Sequence, residues 1–303
     1  MTVAIPRAGL YYHYHAFWTA FFEALGFDVV VSDKTDRRIL NSGLAHSHSE
    51  MCLPIKIYYG HVLSLSDRAD YILIPQFGEF AYSGDKDRRE YFCPYFVAMP
   101  DMFAAEYPQL RILRPVMKFL DGRIVADSWL ELAEQLGKSK QQAQAAYDAA
   151  SRAQAEASKI SEKIVSPDQP VIAVIGRPYL LYDEQANLEL LKKIRVRGYG
   201  IKTVDDFSDE DIGRGFSELH KCYHYHWRLT NREYGAIIAA SREPHIKGII
   251  YVTPFNCGPD FLMEKFAIGL ARRNKPVVSI SFDESTGEAG LLTRLDAFFD
   301  MLK

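Results

Sequence analysis

Hydrophobic positions along the chain fall into short apolar runs that alternate with longer stretches of helical period. Val3-Ala4-Ile5, Phe27-Asp28-Val29-Val30-Val31 and Asp70-Tyr71-Ile72-Leu73-Ile74-Pro75 read as strands. Tyr11 to Leu25 reads as a helix closed by Gly26. Strand, helix, glycine and strand in that order predict a βαβ unit and a parallel sheet. A helix carrying Lys56 and His61 follows, then a loop over Phe77 to Arg89 that leads to Cys93, and a further strand at Arg111-Ile112-Leu113-Arg114-Pro115. Ser128 to Ile164 is rich in Ala, Gln, Glu, Lys and Ser, with Leu130, Leu132, Leu136, Tyr147 and Ile160 as apolar anchors. It predicts a long helical connector broken at Gly137, and Ser166-Pro167-Asp168-Gln169-Pro170 reads as a linker.

The second half repeats the first. Val171 to Ile175 is a strand, followed by Gly176-Arg177-Pro178-Tyr179, a helix over Glu184 to Arg197, and a strand at Ile201-Lys202-Thr203-Val204. The β-branched run Gly248 to Val252 precedes Thr253-Pro254-Phe255-Asn256-Cys257-Gly258-Pro259-Asp260, a helix over Phe261 to Arg273, and a strand at Pro276 to Ile280. After the polar turn at Asp283, Leu292, Leu295, Phe298, Phe299 and Leu302 mark the apolar face of an amphipathic helix. In this shared order Cys52 corresponds to Cys222 and Cys93 to Cys257. The expected fold is α/β: two similar Rossmann-like domains, over 1–165 (with the helical connector) and 166–303, with mainly parallel sheets facing a cleft. Ligands of such sheets bind beyond the carboxyl ends of the strands, where Cys257 is predicted.

Composition narrows the function. Of 303 residues, 48% are hydrophobic and 25% charged, enough for two full cores. The net charge of −3 has no basic footprint, which argues against nucleic acid. No apolar run approaches the roughly 20 residues that span a bilayer, and the N-terminus lacks a signal-peptide layout. A cytoplasmic, reducing location is expected, where four cysteines at special turns bind metal or do redox chemistry more often than they form disulfides.

Three of those cysteines have a proline one or two residues on: Cys52 before Pro54, Cys93 before Pro94 and Cys257 before Pro259. At Cys257 the free N–H groups and positive end of the following helix are expected to favour a thiolate. Convergent thiolates point to an iron–sulfur cluster with Cys52, Cys93 and Cys257 as ligands. Read singly, each is a small buried hydrophobe. Cys222 has no nearby proline; its place in the shared order argues for a fourth ligand and its context for packing. Without it the cluster keeps an open iron site.

The histidine pairs Tyr12-His13-Tyr14-His15 and Tyr223-His224-Tyr225-His226 are near copies. On a helix, neighbours two apart point in nearly opposite directions, so one of each pair packs and the other meets solvent. His46 and His48 lead into Cys52 and read as a solvated loop or as donors to cluster sulfur. No Walker-type or dinucleotide glycine motif follows a strand. Arg7 and Arg177, each just past a first strand, read as anion contacts at a helix start or as surface salt bridges. The aromatic stretches 11–22 and 223–227 read as core helix faces.

Taken together, several segments resemble the 2-hydroxyacyl-CoA dehydratase-related proteins, and most closely their acyl-CoA dehydratase activase-related branch. These are Ile5-Pro6-Arg7 with Tyr11-Tyr12, Glu50-x-Cys52-x-Pro54-x-Lys56 with Gly60-His61-Val62, Cys93-Pro94, Cys257-Gly258-Pro259-Asp260, and Asp283-Glu284-x-Thr286-Gly287-Glu288-Ala289-Gly290-x-x-Thr293-Arg294-Leu295. The resemblance implies a 4Fe-4S cluster or a double-cubane 8Fe cluster, with Cys52, Cys93 and Cys257 at the ligand positions. It implies low-potential electrons supplied by an ATP-dependent activator, and relatives that dehydrate 2-hydroxyacyl-CoA thioesters through a ketyl radical or reduce small molecules. A homodimer is implied as well. Cys222 falls outside the matching motifs. On this reading the protein is a redox component that takes one electron at a time for dehydration or reduction of a small substrate, with Lys56 and His61 as candidates for tuning the cluster or orienting that substrate. The alternatives are a non-catalytic electron relay that docks an activator, and a zinc or thiol protein without iron.

Overall fold

The computed structural model describes residues 1–159, 169–220 and 226–303. Ile160, the first three linker residues, Cys222 and Tyr223-His224-Tyr225 lie outside the described residues. The chain divides into two compact units, Met1–Ser47 with Ile55–Ile160 and His226–Arg228, and His48–Pro54 with Ser161–Tyr225 and Leu229–Lys303.

The first unit runs β1 (Thr2–Ile5), α1 (Tyr11–Ala24), β2 (Asp28–Val31), α2 (Arg37–His46), α3 (Leu53–Leu63), β3 (Tyr71–Leu73), β4 (Gln76–Tyr82), β5 (Asp85–Tyr91), α4 (Pro94–Glu106), β6 (Ile112–Leu113), β7 (Val116–Leu120), β8 (Arg123–Ile124), α5 (Asp127–Gln135) and α6 (Lys140–Lys159). One sheet is parallel throughout, in the order β2-β1-β3-β6. The expected parallel α/β organisation is present. The predicted helical connector is α5 and α6, broken at Gly137, and it packs onto its own unit. Trp129 of α5 is buried with ring centroids 4.9 Å from those of Phe17 and Phe21 on α1. Ala143, Ala146 and Ala150 make a small-residue stripe at helical spacing along α6, which lies on α1.

A second sheet, β5-β4-β7-β8, corrects the expected loop over Phe77 to Arg89. Here β4 pairs antiparallel with β5 and parallel with β7. The register shifts between Phe77 and Phe80, so two residues three apart both reach the core and the two-residue period is broken. Phe77, Phe80, Phe92 and Phe119 form its aromatic interior. The segment His226–Arg228 adds to the β5 edge through a parallel bridge between Tyr91 and Trp227. The described end of the second aromatic stretch is therefore an edge contact rather than a core helix face.

The second unit contains β9 (Val171–Gly176), α7 (Pro178–Leu181), α8 (Leu190–Val196), β10 (Gly200–Thr203), a 3-10 turn (Val204–Asp206), α9 (Asp209–His220), α10 (Arg228–Arg242), β11 (Ile246–Pro254), α11 (Gly258–Ala271), β12 (Val277–Phe282) and α12 (Glu288–Asp300). Its sheet is again wholly parallel, in the order β10-β9-β11-β12. Every residue of β9 is buried, as befits a strand covered on both faces. The single helix expected over Glu184 to Arg197 is corrected to a turn followed by α8. Buried Asn187 donates to the carbonyls of Leu180 and Leu181 and accepts from Leu190 N–H, while Leu188 and Glu189 turn left-handed at φ 54° and 55°.

Both units cross a helix pair backbone to backbone. A Cβ added at Gly43 of α2 would lie 2.0 Å from the Lys56 carbonyl oxygen of α3, and one at Gly60 would lie 2.0 Å from that of Ile39. In the second unit, a Cβ at Gly215 of α9 would lie 2.3 Å from the Gly235 carbonyl oxygen of α10, and one at Gly235 would lie 2.2 Å from that of Ile212. Backbone oxygens cannot swing aside, so only glycine fits. Gly43→Ala and Gly235→Ala should each lower unfolding free energy by about 2–3 kcal/mol. Gly213→Ala, with open space around the new methyl, should be neutral or slightly stabilising. Urea unfolding at constant m-value measures all three.

Candidate functional site

In the second unit, polar groups converge at the carboxyl ends of β9 and β11. Arg177 follows β9 directly and caps the start of α7, Thr253 lies near the end of β11, Asp260 opens α11, and Thr230 and Glu233 face inward from α10. All five are buried, Asp260 completely. Arg177 holds Asp260 with two donors, Nη2 to Oδ1 and Nε to Oδ2 at 3.3 Å, and Nη2 also donates to Thr230 Oγ1 at 2.7 Å. Thr253 Oγ1 donates to Asp260 Oδ2 at 3.2 Å. The two-pronged guanidinium–carboxylate geometry is the one that best repays removing both ions from water. The contact expected for Arg177 as a surface salt bridge is instead a core one.

Glu233 is the second carboxyl. Its Oε1 lies 3.3 Å from Arg177 Nε, but that nitrogen has one proton and gives it to Asp260, so Oε1 accepts no hydrogen bond. Burial, and then the repulsion of Asp260, push Glu233 well above the usual carboxylate range despite Arg177. Of the two carboxyls, Glu233 is therefore the one that releases its proton less readily than an ordinary glutamate. Thr230 and Glu233 were missed in the sequence because their partners lie 18 to 56 residues away, Tyr251 being 18 from Glu233, Asp260 30 from Thr230 and Arg177 53 from Thr230. The signal was a charged residue in the otherwise buried face of Leu229, Tyr234, Ile237 and Ile238.

Cys257 stands at the edge of this cluster as the N-cap of α11, with Pro259 inside the first turn. Asn256 before it is left-handed at φ 65°, a conformation asparagine tolerates. The expected thiolate is corrected: burial, and then the Asp260 carboxylate, push the Cys257 thiol well above its usual range, against the pull of Arg177 and the Asp260 backbone N–H. The helix N-terminus is outweighed by lost hydration.

In the first unit, Cys93 is likewise an N-cap, of α4, with Pro94 at the first helical position. Cys93 and Cys257 thus occupy the same place in the two units, before the helix that leads to the fourth strand of each parallel sheet. Cys52 precedes α3 and belongs to the second unit, with Cys257. All three are half-buried cysteines outside any disulfide. Among the described residues, no group of three or more His, Cys, Asp or Glu side chains is arranged to hold a metal ion.

Lys56 and His61 are both buried on α3. His61 is pinned through both ring nitrogens, Nδ1 to Ser32 Oγ at 2.8 Å and Nε2 to Thr35 Oγ1 at 2.9 Å. Ser32 in turn accepts from the Arg7 N–H through its hydroxyl and from Arg7 Nε through its carbonyl. One neutral imidazole, donating on one side and accepting on the other, satisfies this arrangement. Burial, and then the Arg7 charge, push His61 down to about 4. His46 and His48 are exposed, and on α1 His15 is exposed and His13 half-buried. Asp283 folds the turn after β12 by accepting from Ser285 and Thr286, as a capping turn does.

Fold and site together define an α/β protein of two units, each with a parallel four-stranded sheet and a cysteine capping the helix that leads to its last strand. Residues 2–207 match the family described as CoA enzyme activase uncharacterised domain (DUF2229), and the chain belongs to that family. The matched residues take in Cys52, Lys56, His61, Cys93 and Arg177, and end before Cys257 and Asp260. No curated protein matches the chain. Among the described residues, no helix is long and apolar enough to cross a membrane.

Two pH responses of opposite sign follow. His61 is harder to protonate folded than unfolded, so its contribution to stability is complete above about pH 6.5 and declines by up to about 3 kcal/mol as pH falls towards 4. His61→Gln should flatten that acid limb of a stability–pH profile. Glu233 holds its proton longer folded than unfolded, so it erodes stability as pH rises above the ordinary glutamate range. Glu233→Gln should be at least as stable as the parent at pH 8 and lose less between pH 5 and pH 8, as measured by urea unfolding.

Proposed function

We propose that this chain is an iron–sulfur redox component of a 2-hydroxyacyl-CoA dehydratase-type system, receiving low-potential electrons from an ATP-dependent activator for a small acyl-CoA-type substrate. The observation that carries this reading is the recurrence of Cys93 and Cys257 as helix N-caps at equivalent places in two parallel-sheet units, within a family described as a CoA enzyme activase domain. We read those units as two Rossmann-like domains. Cys52, Cys93 and Cys257 hold the 4Fe-4S cluster, alone or as part of a double-cubane cluster, with Cys222 as the candidate fourth ligand. Half-buried thiols at helix starts are the soft donor type that such a cluster takes, which supports the reading. A cubane spreads its thiolates over separate iron atoms, more widely than the donors of a single ion.

When bound, the cluster supplies one-electron transfer at low potential. The protein's own residues do the rest. The Arg177–Asp260 pair holds the turn that bears Cys257, and the neutral His61 holds the loop after β2 against α3. Phe255 and Phe261, exposed on either side of Cys257, give that turn an apolar rim that limits water. A second reading, a non-catalytic relay that docks an activator, is favoured by the family's description as an activase domain rather than as a dehydratase.

Anaerobic purification with iron and acid-labile sulfide analysis tests the reading. About four iron and four sulfide per chain are expected for a single cubane, with a brown absorbance that is lost in Cys52→Ser, Cys93→Ser and Cys257→Ser. Iron-free protein after anaerobic reconstitution, or colour unchanged in the three variants, rejects it. Calorimetric binding of a CoA thioester distinguishes the redox enzyme from the relay, which should not bind one.

A further inference from the structure

We propose that Arg7 is the recognition group for a small organic carboxylate bound at the carboxyl end of β1. This site is independent of the cluster reading and needs no iron. The two parallel sheets share one plan, β2-β1-β3-β6 and β10-β9-β11-β12, with the first strand of each lying between the second and the third. The first connection runs to one side and the next returns to the other. Such a switch point opens a crevice beyond the carboxyl ends of the two central strands, where ligands of open α/β sheets bind. One arginine stands at that place in each unit, Arg7 just past β1 and Arg177 just past β9. In the second unit the arginine is filled from within: Nη2 and Nε of Arg177 both meet the carboxylate of Asp260, the third residue of α11. The third residue of α4, the corresponding helix of the first unit, is Phe96.

The Phe96 ring is buried against the turn that follows Arg7. A Cβ added at Gly9 would lie 2.8 Å from it and 3.1 Å from the Tyr58 ring. The start of α4 therefore reaches the arginine turn but brings no carboxylate to it. Arg7 is nonetheless held in place. Its backbone N–H donates to Ser32 Oγ at 2.8 Å, its Nε donates to the Ser32 carbonyl at 3.1 Å, and its guanidinium carbon lies 5.4 Å from the centre of the Tyr11 ring. Among the described residues no carboxylate pairs with Arg7, and neither Nη group finds an acceptor. The backbone N–H groups of Ala8, Gly9 and Leu10, all buried in the same turn, likewise donate to no described residue. Buried main-chain donors are nearly always paired, so unpaired ones beside a half-exposed arginine mark a place for an acceptor from outside the chain. A fixed guanidinium fork with an open edge is matched by the two coplanar oxygens of a carboxylate. The rings of Tyr11, Tyr58 and Phe96 beside the turn suit a ligand with a short hydrocarbon body better than a bare inorganic ion.

The experiment treats the full chain with phenylglyoxal, which condenses with guanidinium nitrogens, and follows Arg7 and Arg177 by peptide mass spectrometry. Propionate is the probe, with phosphate and chloride compared at the same ionic strength. Arg7 should be modified in chloride and modified several-fold more slowly in propionate. Arg177, whose fork Asp260 already fills, should resist modification in every arm. Calorimetric titration with propionate should show several-fold weaker binding in Arg7→Lys, which keeps the charge and loses the fork. Modification of Arg7 that propionate does not slow, protection by phosphate equal to or greater than that by propionate, modification of Arg177 at the Arg7 rate, or undiminished propionate binding in Arg7→Lys overturns the proposal. Should Arg7→Lys fail to fold, the labelling of the parent chain decides alone. None of these readouts involves iron or the cysteines, so failure here and failure of the cluster reading are told apart.

Discussion

A buried arginine is the constraint on which the second unit depends. Removing a guanidinium from water costs several kcal/mol even after relaxation, and only a well-placed carboxylate with further hydrogen bonds offsets it. Arg177 meets that requirement with groups from three other elements, Thr230 of α10, Asp260 of α11 and Thr253 of β11, which supports Asp260. Apolar side chains around them tolerate small slips, because dispersion is shared among many weak contacts. A two-pronged ion pair in a poorly screened interior does not. The cluster therefore fixes how α10 and α11 meet the carboxyl edge of the sheet, and with it the position of the Cys257 turn.

The first unit meets the same architectural problem without a buried ion pair at the equivalent place. Its parallel sheet has the same strand order, its α2 and α3 cross on Gly43 and Gly60 as α9 and α10 cross on Gly215 and Gly235, and its Cys93 caps a helix as Cys257 does. Arg7 follows the first strand as Arg177 does, but it stays partly exposed, bonds to Ser32 and lies over the Tyr11 ring. The interior position is taken by His61, which avoids the cost of buried charge by remaining neutral between two hydroxyls. One plan thus carries two electrostatic solutions, one ionic and one of neutral hydrogen bonds, and they respond to pH in opposite directions.

How far the sequence revealed this varies with the physics of each feature. The parallel strands were legible because buried strands are short, β-branched and continuous, as Val171 to Ile175 is. The cysteine turns were legible because proline beside cysteine marks a helix start. The β4–β5 hairpin was not, because the register shift brings Phe77 and Phe80 inward three apart and β5 is a run of charges. The break before α8 was hidden because Asn187, rather than a glycine or proline, ends the preceding turn. The Arg177 cluster was only half legible: Asp260 lies in a visible motif, but its neutralising partner and the inward face of α10 are joined to it only by folding.

The chemical state of Cys257 shows where local rules give way to burial. A helix N-terminus is worth typically 0.3–1 kcal/mol to a nearby anion, enough to favour a thiolate on an exposed turn. At Cys257 the same dipole competes with lost hydration and with a fixed carboxylate one turn away, and both oppose a second negative charge. The sulfur therefore keeps its proton until something else supplies positive charge beside it. A surface cysteine of low pKa would be open to oxidation and alkylation at all times. A half-buried thiol that keeps its proton is slower in both. Were a metal bound at this sulfur, it would supply that positive charge, ligation and deprotonation would become one event, and the lost hydration that argues against a free thiolate would not argue against a bound one.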